Sequence, residues 1–536
     1  MLAGTPSPVG AHPSRAPLTA PDRLLILDHG RTRVRTVTGL GALGRPGPGT
    51  GAPTRRSREG APTGAATPVP SASAARARSS LSTPAGALLT LAHGGALSAS
   101  DYRRYLGDYR LARRSLGRLR GTRRSELGAV LANVQAIAAA GGFAPSRLPA
   151  LFLTLERNRQ WWTTGPLLSD GQRVSFPGSR LVWQYYAGQG VEIQWLGTFG
   201  AANGLFQAGD DGGLRALLAE AVPLASARAG GIAWEYLFRF DGGRPPWTSS
   251  LSQGTAIQAL ARGGTRLGEP AFLDAARRAL GIFSVAPPVG VRINTQFGAH
   301  YLQYSFAPRE RILNGFIQSL VGLRDYATLT GDPLGAQLFA TGDAEARLEV
   351  PHYDTGAWSD YDQHSESDLS YHELLRDFLT NLCQRTDPQG ASLSGPPARS
   401  RPGRPVAVNA DAIYCTTAQH FTAYLHTRPV VSLLTRRVRS GRPTDVHLQL
   451  SKISRVTMTV RRGGQVVFVG SAQLGHGTPS LRWPSPGRPG SYTLSLSAVD
   501  LAGNRASVPT TITVLAPARR GPRARRPSPH RRPAVP

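Results

Sequence analysis

Apolar residues recur at helical spacing through most of the chain and then alternate as in half-buried strands. Between Ser98 and Leu155 they fall three or four positions apart, which is the spacing of one helix face. After Pro429 the spacing changes to two, as it does from Val446 to Leu450 and from Val456 to Val460. The pattern predicts a long helical region followed by a smaller β region.

A weak internal repeat divides the helical region. Each repeat consists of an apolar stretch, a glycine-acid-proline turn and a second apolar stretch. One turn begins at Gly268 and the next at Gly331, and a less exact turn begins at Gly209. Glycine commonly ends a helix, and proline fits the first turn of the next one. Helix hairpins of this size predict an (α/α) toroid, with a small β-hairpin element in the turn-rich segment 161–194. An ordinary helical solenoid is the alternative.

Shifts in composition and periodicity predict four regions, and together they make a mainly α fold. Residues 1–90 and 516–536 are basic and rich in Pro, Gly and Ala, and we expect them to be disordered. Residues 91–428 are predicted to form the toroid. Residues 429–515 are predicted to form a β-sandwich, because Gly463 and Gly464 suit a hairpin turn and the Ala498 to Asn504 turn resembles the last hairpin of bacterial immunoglobulin-like domains.

The net charge of +29 is concentrated at the two ends of the chain. Residues 1–90 carry a net +8 and residues 517–536 a net +7, which together make about half of the excess. No recognised nucleic-acid module appears, so no specific nucleic-acid partner is expected. Lys452 is the only lysine, and this arginine bias is typical of a GC-rich genome. A basic surface would also attract a polyanionic sugar chain.

The sequence predicts no membrane span and shows no clear signal peptide, because no apolar run is long enough. The two cysteines, Cys383 and Cys415, would form one disulfide in an exported protein; two buried free thiols are the alternative. We expect an extracellular or cell-surface location, with a cytoplasmic one as the alternative.

Tyrosine, histidine and amide side chains are concentrated between positions 301 and 372. The most specific sequence motifs are Asn-Gly-Phe, beginning at Asn314, and Tyr-Asp-Thr-Gly, beginning at Tyr353. Their order and spacing resemble the catalytic domain of D-glucuronyl C5-epimerases, which invert uronic acid residues inside a polysaccharide. The resemblance runs from Trp247 to about Cys383. Together with the immunoglobulin-like resemblance, it predicts an exported bacterial protein.

The resemblance implies an isomerase that converts D-glucuronate-type into L-iduronate-type residues in a heparan sulfate-like glycan. It also implies that Tyr304, Tyr361 and Tyr371 are the catalytic residues, which remove the C5 proton and return one on the opposite face. Two positions depart from the family. Gln303 stands where the related enzymes carry glutamate, and His364 where they carry arginine. An amide cannot act as a general base, so that role would pass to a tyrosine or a histidine, or be lost.

Further polar and aromatic side chains are predicted to bind sugar hydroxyls or stack on sugar rings, with core packing as the alternative for each. They are Gln303, His364, His372, Asn314, Trp234, Glu235, Trp247 and Gln253. Trp183, Tyr185 and Tyr186 are expected on the same sugar-facing wall. No metal or cofactor is expected. The predicted partner is an acidic polysaccharide, and a homodimer is a further expectation.

Three other functions remain open at this point. A uronate polysaccharide lyase would share the first proton abstraction, and a surface glycan-binding protein could keep the cleft without the base. A glycoside hydrolase using the carboxylates of Glu192 and Glu235 is also conceivable.

Overall fold

The computed structural model describes residues 22–28, 31–37, 83–387, 412–484 and 486–517. Contacts divide the chain into two compact units, Met1–Ala346 and Arg347–Pro536. The predicted change of domain at 428/429 therefore falls inside the second unit.

Helices carry most of the described residues of the first unit. In chain order they are α1 Pro84–His93, α2 Ala99–Arg118, α3 Gly121–Ala139, α4 Leu148–Thr164, α5 Trp195–Ala208, α6 Asp211–Ala221, α7 Ser250–Leu267, α8 Pro270–Ala279, α9 Leu313–Thr330 and α10 Pro333–Glu349, in which the boundary with the second unit falls.

The strands of the first unit are short, apart from the first two. They are β1 Asp22–Asp28, β2 Arg31–Val37, β3 Arg173–Ser175, β4 Trp183–Tyr186, β5 Gly190–Ile193, β6 Ser226–Arg228, β7 Gly231–Ala233, β8 Arg292–Asn294 and β9 Ala299–Tyr301. The order β2-β1-β3-β4-β5 makes a five-stranded sheet, while β6-β7 and β8-β9 are separate hairpins.

The prediction that residues 1–90 are disordered is wrong for part of that segment. Strands β1 and β2 form an antiparallel hairpin, and β1 pairs in parallel with β3, placing Leu25 opposite Val174. Leu27 is buried, and Pro84 begins helix α1. The four apolar residues from Leu24 to Leu27 are too few to outweigh their basic surroundings in a compositional argument, and their partner strand lies far along the chain. The other residues before Thr83, and the tail from 518 onward, lie outside the described residues.

The predicted helix hairpins are present. Gly268 ends α7 and Gly331 ends α9, both in the left-handed conformation that glycine adopts without a steric penalty (φ 64° and 69°). Pro270 and Pro333 then begin α8 and α10. Helix α7 is central, because it packs against α5, α8 and α9 and every residue from Ser250 to Ala261 is buried.

The second unit combines two helices with a strand-rich region. The elements are α11 Leu369–Thr386, α12 Ile413–Tyr424, β10 Val431–Leu433, β11 Arg437–Arg439, β12 Thr444–Leu450, β13 Ser454–Arg462, β14 Gln465–Leu474, β15 Ser480–Trp483, β16 Gly490–Asp500 and β17 Arg505–Leu515. Helices α11 and α12 pack together, and a disulfide joins Cys383 to Cys415 across a Cα–Cα distance of 4.9 Å. The disulfide expected of an exported chain is thus present.

The strands of the second unit form two sheets, with the orders β10-β12-β15 and β11-β17-β16-β13-β14. The predicted alternation is confirmed, since Val446, Leu448 and Leu450 are buried while the residues between them are exposed. These three pack in one apolar core with residues of β13 and β16. In the larger sheet, β11 and β17 are the first and last strands in the sequence, and they pair in parallel.

The predicted fold class, an (α/α) toroid followed by an immunoglobulin-like β-sandwich, is wrong. The structure is 47% helix and 23% strand, with a curled half-barrel sheet and several small sheets, so it is mixed rather than mainly α. Strands of three or four residues, such as β3 to β9, are too short for alternation to reveal them. Alternation also gives each strand a buried face without fixing which strands pair or how a sheet curls.

Candidate active site

A row of polar side chains lies on one face of the β4–β5 hairpin. Gln184 is paired with Glu192, and Tyr186 with Gly190, in antiparallel register. Because side chains alternate across a strand, Gln184, Tyr186 and Glu192 share one face, and Gln194 follows on the same side just after β5. All four are buried, Gln184 with 1% and Glu192 with 3% of its surface exposed. We call these four residues the hairpin polar face.

Gln194 connects this face to the rest of the first unit. Its Nε2 donates to the Tyr186 hydroxyl (3.1 Å), and its Oε1 accepts from the Tyr236 hydroxyl (3.3 Å). Gln194 is also the N-cap of α5, where Oε1 accepts from the backbone N–H of Gly197 (3.2 Å). The start of α5 thereby fixes the position of the amide between two tyrosine hydroxyls.

An aromatic cluster adjoins the hairpin polar face; its members are Tyr186, Tyr236, Phe238, Phe240, Trp247, Tyr304 and Phe306. Trp247 stacks on Tyr236 with ring centroids 4.3 Å apart, and Tyr304 stacks on Phe306 at 5.3 Å. Phe240, Tyr304 and Phe306 are half-buried, whereas the other members are buried. The cluster therefore reaches solvent at these three rings. Flat aromatic faces of this kind are suited to stacking on sugar rings.

Tyr304 lies at the exposed edge of the cluster, beside the buried side chain of Gln303. Gln303 Nε2 donates to the Tyr304 hydroxyl (2.8 Å). The Gln303 side chain lies over Gly315 in the first turn of α9, where an added Cβ would come within 2.6 Å of Gln303 Oε1. This close approach explains why the Asn-Gly-Phe motif has a glycine at position 315.

Asn314 is buried beside this glycine. Its Oδ1 accepts from the backbone N–H of Gly315 (2.8 Å), and its Nδ2 has no hydrogen-bond partner among the described residues. The structure thus brings together four predicted site residues of the first unit: Gln303, Tyr304, Asn314 and Trp247.

Glu192 is the most perturbed carboxyl group on the hairpin polar face. Burial raises its pKa well above the ordinary value, with no contribution from a charged neighbour. Its Oε1 and the Nε2 of the opposite Gln184 both lack hydrogen-bond partners in the described part of the chain. Burial also raises the pKa of Tyr186 well above its ordinary value, and nearby Tyr236, Tyr304 and Glu192 contribute to the rise.

The three aromatic residues of β4 that are predicted for the sugar-facing wall are divided between the two faces of this hairpin. Trp183 and Tyr185 lie on the opposite face, where Trp183 packs edge-on against Phe176 and the Tyr185 hydroxyl donates to Glu126 (2.9 Å). Of the predicted wall, Tyr186 alone shares the polar face. The period-two placement of Gln184, Tyr186, Glu192 and Gln194 was the available signal.

Three predicted sugar-binding residues are engaged inside the first unit instead. Glu235 accepts from Arg147 (2.5 Å) and Arg228 (2.6 Å), with 1% of its side chain exposed. Gln253 donates to the Ile232 carbonyl and accepts from the backbone N–H of Trp234. The Trp234 indole donates to Ala221 and packs on Phe199. A buried group whose hydrogen bonds are already made within the fold has no capacity left for a sugar, so a substrate-contact role is not supported.

Glu235 also has an electrostatic environment opposite to that of Glu192. Burial opposes its charge, but the hydrogen bonds and positive charges of Arg147 and Arg228 outweigh burial and hold its pKa below the ordinary value. Arg147 and Arg228 already bond both oxygens of Glu235, so it is not available as the second carboxylate of a glycoside hydrolase.

In the second unit, the structure brings Tyr361 and Tyr371 together. Their ring centroids are 4.7 Å apart, and both residues are half-buried. Tyr371 lies in the first turn of α11, where its backbone N–H donates to the N-cap Asp368 (2.8 Å). The backbone N–H of Tyr361 donates to the Ser365 carbonyl (2.8 Å), which closes the loop before α11.

The two histidines predicted to bind substrate have different environments. His372 is fully buried, stacks on Trp358 at 3.7 Å, and bonds Ser359 Oγ (2.8 Å) and the Phe421 carbonyl (2.9 Å) through its two ring nitrogens. Burial lowers its pKa to about 4, so it is a neutral packing residue rather than a ligand contact. His364 is exposed, and its backbone N–H donates to Asp362 (2.8 Å).

The loop before α11 is rich in acidic residues, and these residues have different environments. Asp362 and Asp368 accept backbone N–H bonds, as turn and cap residues do. Glu366 is mostly buried and accepts from the backbone N–H groups of Ile453 (2.9 Å) and His476 (2.7 Å). Burial raises the pKa of Asp360 to about 6, and nearby Glu366 and Asp362 add to the rise while His476 opposes it.

Within the described ranges, no group of His, Cys, Asp and Glu side chains could hold a metal ion. No described helix is long and apolar enough to cross a membrane. A cleft of about 810 Å³ lies at the C-terminal ends of α7 and α9, lined by residues such as Arg277, Tyr326 and Asp332. Gln303 and Asn314 lie at the N-terminal end of α9, so this cleft is separate from the aromatic cluster.

Comparisons with known proteins locate a family likeness in the middle of the chain. Residues 230–391 match the family described as D-glucuronyl C5-epimerase C-terminus. The D-glucuronyl C5-epimerase of Caenorhabditis elegans is 30% identical over 131 residues, which are 22% of this chain and 21% of that protein. These likenesses support the epimerase family for this segment.

Two further comparisons are more distant. An uncharacterized protein of Methanocaldococcus jannaschii is 27% identical over 138 residues, 24% of this chain and 45% of that one. The chain thus spans less than half the length of either curated relative. Among solved structures, an endoglucanase from Komagataeibacter sucrofermentans is 12% identical and covers 43% of this chain and 89% of that chain, with a TM-score of 0.26.

Proposed function

We propose that this chain is a C5-epimerase of uronic acid residues in an acidic polysaccharide. The observation that carries the proposal is the Tyr304 hydroxyl, held by Gln303 at the solvent edge of an aromatic cluster. The segment that matches the epimerase family also contains Tyr304, Tyr361 and Tyr371. Tyrosine suits the reaction because its hydroxyl can both accept and donate a proton.

Removal of the C5 proton places negative charge beside a carboxylate that is already negative, so hydrogen-bond donors must stabilise the intermediate. Gln303 changes how Tyr304 is supported. A glutamate there would accept the tyrosine proton, whereas the amide Nε2 donates to the phenol oxygen. Such a donor stabilises negative charge that develops on that oxygen. The glutamine is therefore compatible with Tyr304 as the proton acceptor.

Tyr361 and Tyr371 are proposed as the further tyrosines of the reaction. Their contact at 4.7 Å and partial exposure leave both rings at the surface of the second unit. Asp368 fixes the backbone of Tyr371 at the start of α11. Of the two, Tyr371 is the proposed proton donor or acceptor.

The proposed substrate is a uronate-containing polymer outside the cell. The net charge of +29 would attract a polyanion, and the rings of Phe240, Tyr304 and Phe306 offer faces for stacking. The disulfide between Cys383 and Cys415 supports an oxidising compartment.

The test is isotope exchange in deuterated water with a panel of uronate polymers. An epimerase places deuterium at C5 of the polymer, which NMR detects. Ultraviolet absorbance from an unsaturated uronate would instead identify a lyase. Binding without exchange or cleavage would identify a glycan-binding protein. This second candidate function is favoured by Gln303, which stands where the related enzymes carry a glutamate.

Matched tyrosine variants locate the chemistry. We expect Tyr371→Phe and Tyr304→Phe each to lower exchange by about 10²-fold or more, which is typical of a lost acid–base group. Tyr424→Phe is the control in the second unit, because it removes a tyrosine hydroxyl that donates to Asp354 inside the fold (2.9 Å). Tyr301→Phe is the control in the first, because its hydroxyl donates to the Leu338 carbonyl (2.7 Å). Full activity in Tyr371→Phe would remove that residue from the mechanism.

Gln303→Glu tests the departure from the family. A changed exchange rate in a folded variant would indicate that position 303 acts on the reacting centre through Tyr304. An unchanged rate would restrict Gln303 to packing over Gly315.

A further inference from the structure

Two polar atoms on the hairpin polar face lack hydrogen-bond partners. Glu192 Oε1 and Gln184 Nε2 are both buried, and neither bonds to another group in the described ranges. They belong to directly opposed residues of β4 and β5, on the same side of the sheet. Buried polar groups in folded proteins are almost always hydrogen-bonded, so an opposed pair of unpartnered groups indicates a place for a bound molecule.

Two other buried carboxylates of the first unit, Glu126 and Glu235, show that this is not a general property of the fold. Glu126, on the opposite face of the same hairpin, accepts from the backbone N–H groups of Gly188 and Gly190 and from the Tyr185 hydroxyl. Glu235 accepts from two arginines. Both of these carboxylates are saturated by the protein itself, and Glu192 is not.

The protonation state of Glu192 determines what it can bind. Burial raises its pKa, and no cation among the described residues opposes the rise. The ionisable groups nearby are Tyr186 on the same face, with Tyr236 and Tyr304 beyond it, and Glu126 and Tyr185 on the opposite face. A neutral carboxylic acid has an O–H donor, whereas a carboxylate only accepts. With the Gln184 amide beside it, the pair presents two donors.

The pair shares its hairpin face with Tyr186, a member of the aromatic cluster whose exposed edge includes Tyr304. Tyr186 shares the hairpin polar face with Glu192, packs on Phe238 at 4.6 Å and lies 6.4 Å from Phe240. Phe240 in turn lies 5.6 Å from Tyr304. Tyr186 therefore belongs both to the face that carries the pair and to the cluster that contains the proposed catalytic Tyr304.

We propose that Gln184 and Glu192 bind the carboxylate of a uronate residue, with the amide N–H and the acid O–H as donors. The inference rests on the proposed function, since that reaction requires the uronate carboxylate to be held and its charge stabilised. It assigns this task to the first unit and not to exposed His364. A neutral acid serves as the donor in the same way that other enzymes keep a buried carboxylic acid protonated.

The test uses calorimetry to measure discrimination between a uronate oligosaccharide and its carboxyl-reduced neutral counterpart, from about pH 5 up to the highest pH at which the protein stays folded. The wild-type protein should prefer the uronate at the acidic end. As the pH rises through the raised pKa of Glu192, the carboxyl ionises and repels the substrate, so the preference should fall.

Three variants separate binding from packing. Glu192→Gln keeps an N–H donor and cannot ionise, so its preference for the uronate should become independent of pH. Glu192→Leu removes the donor and should reduce that preference by about tenfold or more. Glu126→Gln is the matched buried control and should keep the wild-type preference and pH profile in its folded fraction.

Two results would overturn the proposal: a wild-type preference retained by Glu192→Leu, or the same pH profile in wild type and Glu192→Gln. If Glu192→Leu does not fold, Gln184→Leu replaces it, with a smaller loss expected. A structural water between Glu192 and Gln184 that stays in place when the uronate oligosaccharide is bound would equally refute it. Because these measurements need no turnover, they are independent of the isotope exchange that tests epimerisation.

Discussion

Glu235 and Glu192 are glutamates of one unit with the same near-complete burial, and their surroundings differ. Glu235 is held between two guanidinium groups, and its pKa lies below the ordinary value. Glu192 faces an amide that it does not bond and lies beside aromatic rings, and burial raises its pKa. Burial is common to both residues, so the number of donors supplied by the fold determines whether each carries a charge.

The difference shows how to separate a structural carboxyl group from a functional one. When the fold itself supplies every hydrogen bond, as for Glu235, the group stabilises the protein and has no capacity for a ligand. When the fold leaves polar atoms unpartnered, as for Glu192 and Gln184, the unmet hydrogen bonds destabilise the unliganded protein and can be recovered on binding.

Substitution at Glu235 should have the largest effect on stability. Glu235→Gln leaves Arg147 and Arg228 buried without a counter-charge, so we expect the free energy of unfolding to fall by about 3–5 kcal/mol. Urea titration at neutral pH measures this. A loss below about 1 kcal/mol would mean that the pair behaves like an exposed salt bridge, and the comparison with Glu192 would fail.

Substitution at Glu126 should have an intermediate effect. Glu126→Gln keeps the shape but weakens hydrogen bonds to the N–H groups of Gly188 and Gly190 and to Tyr185. We expect a loss of about 1.5–3 kcal/mol, as for hydrogen bonds to charged groups. The same urea titration gives the value, and a loss equal to that of Glu235→Gln would show that two arginines add nothing beyond neutral donors.

The pH dependence of stability should have opposite signs at the two glutamates. The lowered pKa of Glu235 means that its contribution is complete above the ordinary carboxyl pKa and is lost as the pH falls through its folded pKa. The raised pKa of Glu192 means that the folded state retains a proton that the unfolded state releases. Stability therefore falls as the pH rises from the ordinary carboxyl pKa towards the folded one.

Glu192→Gln should accordingly be more stable than wild type at neutral pH and equal to it below the ordinary carboxyl pKa. Unfolding curves across that range measure both differences. A variant less stable than wild type at neutral pH would mean that Glu192 is satisfied within the fold.

Substitution at Gln184 should have the smallest effect on stability and should bear mainly on ligand binding. Gln184→Leu removes an amide with an unpartnered N–H, so the free energy of unfolding should change by less than about 1 kcal/mol. Thermal unfolding measures the change. A loss of more than about 2 kcal/mol would show that the amide is a structural group like Glu126.

Much of the helical part of the fold could be predicted from sequence, because its signals are local. The glycine-acid-proline turns fix where α7 and α9 end and where α8 and α10 begin. Alternation located the strand-rich region after Pro429. The β1–β2 hairpin and its pairing with β3 were missed, because strand pairing joins residues that are far apart in the chain.

The candidate site divides in the same way. The motifs that resemble the epimerase family identified Gln303, Tyr304, Asn314 and the two tyrosines of the second unit as candidate site residues. The same motifs did not reveal that His372 is buried or that Glu235 is bonded to two arginines. Both properties depend on residues that are distant in the sequence.

The sequence by itself determined where helices end, which strand positions are buried and which tyrosines resemble epimerase residues, because each of these depends on neighbouring residues and short words. Only the tertiary structure decided which buried groups are satisfied. Glu126, Glu192 and Glu235 are the same residue type, and each is buried. Their different states arise from partners contributed by distant elements, because a buried group's charge depends on every donor that the folded chain brings to it.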